Sequence, residues 1–136
     1  MILGIGCDVV QIPRIEKALE EHGQAFEDRL FTQGEQAYAN KRGKAGPRLK
    51  ASAYAKRVAA KEAFVKALGT GFSEGINWKE IEIIHTDNGG PTMEVRGNAL
   101  SFITRLTPLG LTPRIDVSLS DDYPVAQAFV VISWNA

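Results

Sequence analysis

Apolar residues follow a strand-like rhythm at the two ends of the chain and a helical one between them. Residues 2 to 10 are apolar and β-branched, which predicts an opening strand, interrupted by Gly4 and Gly6, whose missing side chains permit a bulge or a close backbone approach. Asp8 is the exception within it. Pro13 fits the first turn of a helix that runs to about Glu21, with Ile12, Ile15 and Leu19 as its buried stripe and Arg14 facing out. His22 and Gly23 end that helix, and Gln24 to Leu30 forms a second helical piece. Thr32-Gln33-Gly34-Glu35 has the Thr-x-x-Glu spacing of a capping box for a third helix carrying Ala37 and Tyr38, which Gly43 and Gly46 break. Pro47 then opens the longest element, Arg48 to about Leu68, and Gly69 closes it.

Beyond Gly69 the period changes. Asn77 caps a single turn through Trp78 and Lys79, then IEIIHT from Ile81 alternates as a strand. Asp87-Asn88-Gly89-Gly90 makes a tight turn to an antiparallel partner, Thr92 to Val95. Asn98 to about Leu106 reads as a helix with Leu100, Ile103 and Leu106 apolar, ended by Pro108 and Gly110. Arg114 to Leu119 alternates with Ile115, Val117 and Leu119 inward, and a short turn, Ser120 to Pro124, leads to Ala126–Trp134. That last strand is apolar almost throughout, as a central or interface-covered strand would be. Helices and hairpins in this order predict an α+β fold, a mostly antiparallel sheet packed against a long central helix and shorter helices.

At 136 residues and 44% hydrophobic, residues 1–136 are expected to form one domain with a modest core. No run approaches the length of a membrane span, and the N-terminus MILGIGCDVVQI lacks a basic flank and a cleavage site. The expectation is therefore a cytoplasmic protein with no membrane partner. Cys7, the one cysteine, lies among Ile5, Gly6 and Val9 and reads as a small buried hydrophobe.

Charge sharpens this picture. The chain carries 16 basic and 16 acidic residues, yet none of the acids lies between Glu35 and Glu62, whereas Lys41, Arg42, Lys44, Arg48, Lys50, Lys56, Arg57 and Lys61 do. A block of one sign in a neutral protein predicts a local site for phosphates or for an acidic protein surface. Nucleic acid is disfavoured, because a duplex binder carries a basic excess over its whole domain. At the end of the block Glu62 and Lys66 stand one helical turn apart, which is the geometry of a surface ion pair and also of an acid and a base presented to a metal and a phosphate. Asp8 bears on that choice. A lone carboxylate in an apolar strand asks for a cation or a partner, unless it caps the helix that follows. If Asp8 and Glu62 converge, two carboxylates plus phosphate oxygens and water suit Mg²⁺.

Four segments, GIGCDVVQIPRI, FTQGEQAYA, RVAAKEAFVKALGTG and VSLSDDYPVAQAFVVI, together resemble the short phosphopantetheinyl transferases, the holo-acyl-carrier-protein synthases. The resemblance covers nearly the whole chain in the right order. It implies transfer of 4'-phosphopantetheine from coenzyme A, as co-substrate, to a serine of apo-acyl carrier protein, with Mg²⁺ required, in a homotrimer with sites between subunits. Asp8 and Glu62 match the family's metal-binding acids, and Lys66 its lysine beside the diphosphate. Glu62, directly or through an ordered water, is the preferred acceptor of the serine proton, with Asp121 and Asp122 as alternatives. Gly69, Thr70 and Gly71 match the loop beside coenzyme A, where backbone N–H groups would meet phosphate or the glycines would only cap the helix.

Carrier proteins are acidic beside their modified serine, so Arg14, Arg48 and Lys41 are candidates for the carrier contact, with Lys44 and Arg48 also able to reach the nucleotide's 3'-phosphate. The resemblance departs at Asp121, where the family commonly carries His. Asp121 would repel a phosphate unless it pairs with a base or turns away. His22 and His85 read as surface or strand-end residues, and Tyr38, Tyr54, Phe64 and Phe72 as packing. Weak support for a trimer comes from the apolar last strand and Trp134, which reads as exposed. The alternative to a transferase is a non-catalytic module of the same fold that binds an acidic protein or a nucleotide.

Overall fold

The computed structural model describes residues 1–136. Strand β1 (Ile2–Gln11) leads into α1 (Ile12–His22), α2 (Gln24–Leu30), α3 (Gln33–Gly43) and the 22-residue α4 (Pro47–Leu68). A single 3-10 turn, Trp78–Glu80, then leads into the hairpin β2 (Ile81–His85) and β3 (Pro91–Val95), followed by α5 (Gly97–Leu106), β4 (Thr112–Asp122) and β5 (Val125–Asn135). All pairings are antiparallel: β5 lies between β1 and β4 in a three-stranded sheet, while β2 and β3 form a separate two-stranded one. The architecture is α+β, and no helix is long and apolar enough to cross a membrane.

Helix α4 is the axis of the core. It is buried nearly all round because its sheet- and helix-facing positions are small: Ala51, Ala55, Ala59, Ala60 and Ala63 are at most 1% exposed. Small side chains let neighbours approach closely, and β1 does so to the limit. A Cβ added at Gly6 would stand 1.8 Å from the Ala63 carbonyl oxygen, and one at Gly4 would stand 2.0 Å from that of Ala67. The two glycines therefore lay the strand backbone directly on the helix backbone.

A buried ion pair pins the other side of α4. Glu35 Oε1 accepts from Lys61 Nζ at 2.7 Å and from the Thr32 N–H at 3.0 Å, closing the expected capping box, while Oε2 accepts from the Ile83 N–H at 3.1 Å. Lys61 also donates to the Leu30 and Trp78 carbonyls. Every proton of this ammonium thus has an acceptor, which a fully buried charge requires. Burial pushes the Lys61 pKa down and the Glu35 charge opposes that shift.

Several local expectations change. Cys7 is exposed rather than buried, because Gly4 and Gly6 turn the opposite face of β1 to α4 and leave Ile5, Cys7 and Val9 outside. On α5 the buried residues are Ala99 and Ile103, whereas Leu100 and Leu106 stay 44% and 39% exposed. Trp134 is half-buried rather than exposed, its indole Nε1 buried without a partner. The β4–β5 ladder runs on to the pair Asp122 and Val125, so the turn shrinks to Tyr123-Pro124 and Asp121 and Asp122 become strand residues.

The Gly6 contact is with backbone and cannot be relieved by a rotamer change. Gly6→Ala should lower the free energy of unfolding by ~3 kcal/mol, read from the denaturant midpoint, with Cys7→Ala on the open face within ~0.5 kcal/mol of the parent.

Candidate functional site

Two residues beyond Gly6, Asp8 leaves β1 on the side of α4. Its Oδ1 accepts from Lys66 Nζ at 2.8 Å, and the same ammonium donates to the Cys7 carbonyl at 3.2 Å. Asp8 does not cap α1, whose N-cap is Gln11. Glu62, one turn before Lys66, opens with both of them on a cavity of about 460 Å³. Arg14 of α1 stands at that cavity too, and Val58, Phe26, Leu30 and Trp78 supply apolar wall. Asp8, Glu62, Lys66 and Arg14, each expected from the sequence to be a site residue, thus come together.

Two acids and two bases line the cavity, but only Asp8 and Lys66 form a direct ion pair. Lys66 is engaged by Asp8, leaving Glu62 half-buried with no ion pair. Burial raises the Glu62 pKa above the ordinary carboxyl range and the Asp8 charge raises it further, against the pull of Lys66 and Arg14. The hydrogen bond to Asp8, and then its charge, raise the Lys66 pKa. No third His, Cys, Asp or Glu joins the two acids in a metal-holding cluster. Two carboxylates facing open space fit Mg²⁺, which binds through one or two carboxylates and fills its octahedron with water and phosphate oxygens. A closed all-protein cage is not built here.

The remaining sequence candidates lie elsewhere or act differently. At Gly69 the backbone is left-handed (φ +82°), the conformation of a helix C-cap. Its N–H is bonded to the Val65 and Lys66 carbonyls, and the N–H groups of Thr70 and Gly71 also reach Val65 O, at 3.1 and 3.4 Å. The expected free N–H groups of Gly69, Thr70 and Gly71 are therefore occupied with closing α4. Arg48, near the start of α4, is about 20 Å along the helix from Glu62, and its guanidinium lies 3.7 Å over the Tyr123 ring. Lys41 lines a separate cavity with Arg42, Tyr38, Ala45 and Leu49. Within one chain Lys41, Lys44 and Arg48 do not meet Asp8 and Glu62.

Nor is the basic block uniform. Lys50 pairs with Glu27, Lys56 with Asp121 at 3.0 Å, and Lys61 with Glu35, while Arg57 is buried. Lys41, Arg42, Lys44 and Arg48 remain exposed without a carboxylate partner. The Lys56 pair neutralises Asp121, which with Asp122 borders a different, smaller cavity from that of Glu62.

Three structural features were not read from the sequence. Trp78, stacked on Phe72 at 3.9 Å between ring centroids, walls the main cavity, and its carbonyl is held by Lys61. Arg57 Nη2 donates to His85 Nδ1 at 3.1 Å. Tyr38 stacks on His85 at 4.5 Å and lies 4.2 Å under the Arg57 guanidinium. The only sequence signals were a strand-end histidine and a basic residue among alanines, and neither reports a partner 28 positions away.

Residues 4–128 match the family model of the 4'-phosphopantetheinyl transferase superfamily. The holo-[acyl-carrier-protein] synthase of Rhodopseudomonas palustris is 50% identical over 133 residues, covering 98% of this chain and 94% of that protein. Among solved structures, holo-[acyl-carrier-protein] synthase from Neisseria meningitidis superposes with a TM-score of 0.78 at 38% identity over 98% of this chain and 99% of that one. The Helicobacter pylori enzyme in complex with coenzyme A gives 0.78 at 26% identity over 95% and 99%.

The Arg57 bond requires an unprotonated Nδ1, since a guanidinium has no acceptor. Burial first, then the charges of Arg57, Lys56 and Arg42, lower the His85 pKa. A depressed pKa contributes stability that is complete above the unfolded value, about 6.5 for His, and is lost as pH falls through the folded value. Acidification from pH 7.5 to 5.5 should therefore lower Tm more in the parent than in His85→Asn, as calorimetry of both at each pH would show.

Proposed function

This chain belongs to the 4'-phosphopantetheinyl transferase superfamily, and on that premise we propose that the cleft of Asp8, Glu62 and Lys66 is its catalytic site. The activity is transfer of the 4'-phosphopantetheine group of coenzyme A to a serine of an apo-acyl carrier protein, leaving adenosine 3',5'-bisphosphate. The observation that carries the site assignment is the convergence of a β1 carboxylate and an α4 carboxylate on one cavity beside an exposed ammonium.

In this reaction the serine oxygen bonds to the phosphorus next to pantetheine and the bond to the bisphosphate leaving group breaks, so catalysis is largely positioning and charge neutralisation. Asp8 and Glu62 would hold Mg²⁺, which when bound neutralises the diphosphate oxygens. Lys66 lends its charge to the phosphate side, and Glu62, unpaired in the cavity, takes the serine proton. The apolar wall of Val58, Phe26, Leu30 and Trp78 suits an uncharged pantetheine arm. Arg14 at the rim, with Lys41 and Arg48, meets the acidic face of the carrier, and Lys44 and Arg48 reach the nucleotide's 3'-phosphate. Residues 1–136 act as one transferase domain in the cytoplasm.

We further infer a homotrimer whose sites lie between subunits. The outer face of the three-stranded sheet presents Ile5 (61% exposed), Val9 (54%) and Phe129 (45%) in adjacent register, an apolar patch of the kind that marks an interface. The distance of Lys44 and Arg48 from Glu62 within one chain also supports this reading. A neighbouring copy would bring its own pair to the nucleotide end of the cleft.

Asp8→Ala and Glu62→Ala should each lower Mg²⁺-dependent transfer by roughly 100-fold or more, measured from the mass of intact carrier protein after incubation with coenzyme A, while Tm stays near that of the parent. Near-normal turnover by either variant would remove that acid from the site. For the assembly, light scattering should give three times the 14.8 kDa chain mass, and Phe129→Glu should shift it to monomer.

A further inference from the structure

The Lys66 ammonium lies against β1, 2.8 Å from Asp8 Oδ1 and 3.2 Å from the Cys7 carbonyl oxygen, so in the free protein it is committed to the strand and not to the open cavity that it borders. In this position Lys66 spends a monovalent charge on the oxygen of one carboxylate, and Glu62, one turn before it, has no direct ion pair.

A divalent ion held by Asp8 and Glu62 would compete with that ammonium for the Asp8 carboxylate. Like charges drawn to one carboxylate repel, and the divalent ion would bring twice the charge and have Glu62 as a second ligand. Lys66 can leave without disturbing the core, because its side chain is 53% exposed whereas that of Asp8 is only 17% exposed. Asp8 is anchored on the β1 backbone that Gly4 and Gly6 fix against α4, so the lysine is the mobile partner.

We propose that Lys66 is the stand-in cation of the site: it neutralises Asp8 in the free protein, yields Asp8 to the divalent ion, and on release swings into the cavity to meet the diphosphate. This rests on the metal reading of Asp8 and Glu62 given above. Its consequence is a coupling between the two ligands. The ion liberates the lysine that the diphosphate needs, the diphosphate holds that lysine away from the ion's seat, and each must therefore strengthen binding of the other by the same factor.

The test uses the full-length protein and Mn²⁺ as probe, with free Mn²⁺ counted by its electron paramagnetic resonance signal. Lys66→Met keeps much of the stem and removes the competing charge, so without coenzyme A it should bind Mn²⁺ about fivefold more tightly than the parent, the upper range for an exposed ion pair. Lys66→Arg retains the competitor and should stay within about twofold of the parent. Coenzyme A should tighten Mn²⁺ binding in the parent and do so less in Lys66→Met. A crystal soaked in Mn²⁺ should show Lys66 Nζ withdrawn from Asp8 Oδ1. Equal or weaker Mn²⁺ binding by Lys66→Met, or an occupied site with the Lys66–Asp8 bond intact, would overturn the exchange while leaving the metal reading standing. Failure of the parent to bind Mn²⁺, or unchanged binding in Asp8→Asn, would overturn both.

Discussion

The architecture depends on one backbone-to-backbone contact, that of β1 with α4. Gly4 and Gly6 rest on the carbonyls of Ala67 and Ala63 with no room for a methyl group. Strand and helix are therefore locked in azimuth and in register, and Asp8 is delivered beside Glu62 and Lys66 rather than a turn away from them. A carboxylate on a fixed strand facing a carboxylate and an ammonium on a fixed helix is a cluster built on rigid elements, where positioning errors are small.

On the far side of α4, Lys61 and Glu35 do comparable work with charge instead of close packing. Lys61 immediately precedes Glu62, and its three acceptors belong to the α2–α3 region and the 3-10 turn. That ammonium therefore sets the roll of α4 and at the same time holds Trp78 at the cavity wall. Replacing one member of such a pair costs more than the pair itself contributes, because a lone charge stays buried. Lysine and glutamate at these positions are consequently bound to each other and to the cavity's shape, whatever the substrate.

The basic segment divides in the same spirit. Lys50, Lys56 and Lys61 are spent on Glu27, Asp121 and Glu35, and Arg57 is buried against His85 and Tyr38, so only the exposed bases toward the start of α4 remain to attract an external anion. Asp121 illustrates how a residue of the wrong sign for a phosphate can be harmless. With Lys56 at 3.0 Å its charge is locally cancelled, and the strand-borne acid joins β4 to α4.

Much of this was legible in the sequence, because the signals were local. Element order, the capping box at Thr32, the Asn77 cap, the Gly69 stop and the two-residue alternation of β4 all arise from interactions within a few residues, and the motifs of β1 and α4 pointed to Asp8, Glu62, Lys66 and a family. The side on which each residue lies was decided by tertiary packing. Cys7 and Leu100 look apolar enough to be buried, yet they face outward because Gly6 and Ile103 claim the inner faces. Arg57 and Lys61 look like surface charge, yet they are interior because their partners, His85 and Glu35, arrive from distant segments. Periodicity records which residues share a face of their own element. Which face meets another element is settled by long-range contacts, and pairwise geometry between distant residues leaves no trace in local pattern.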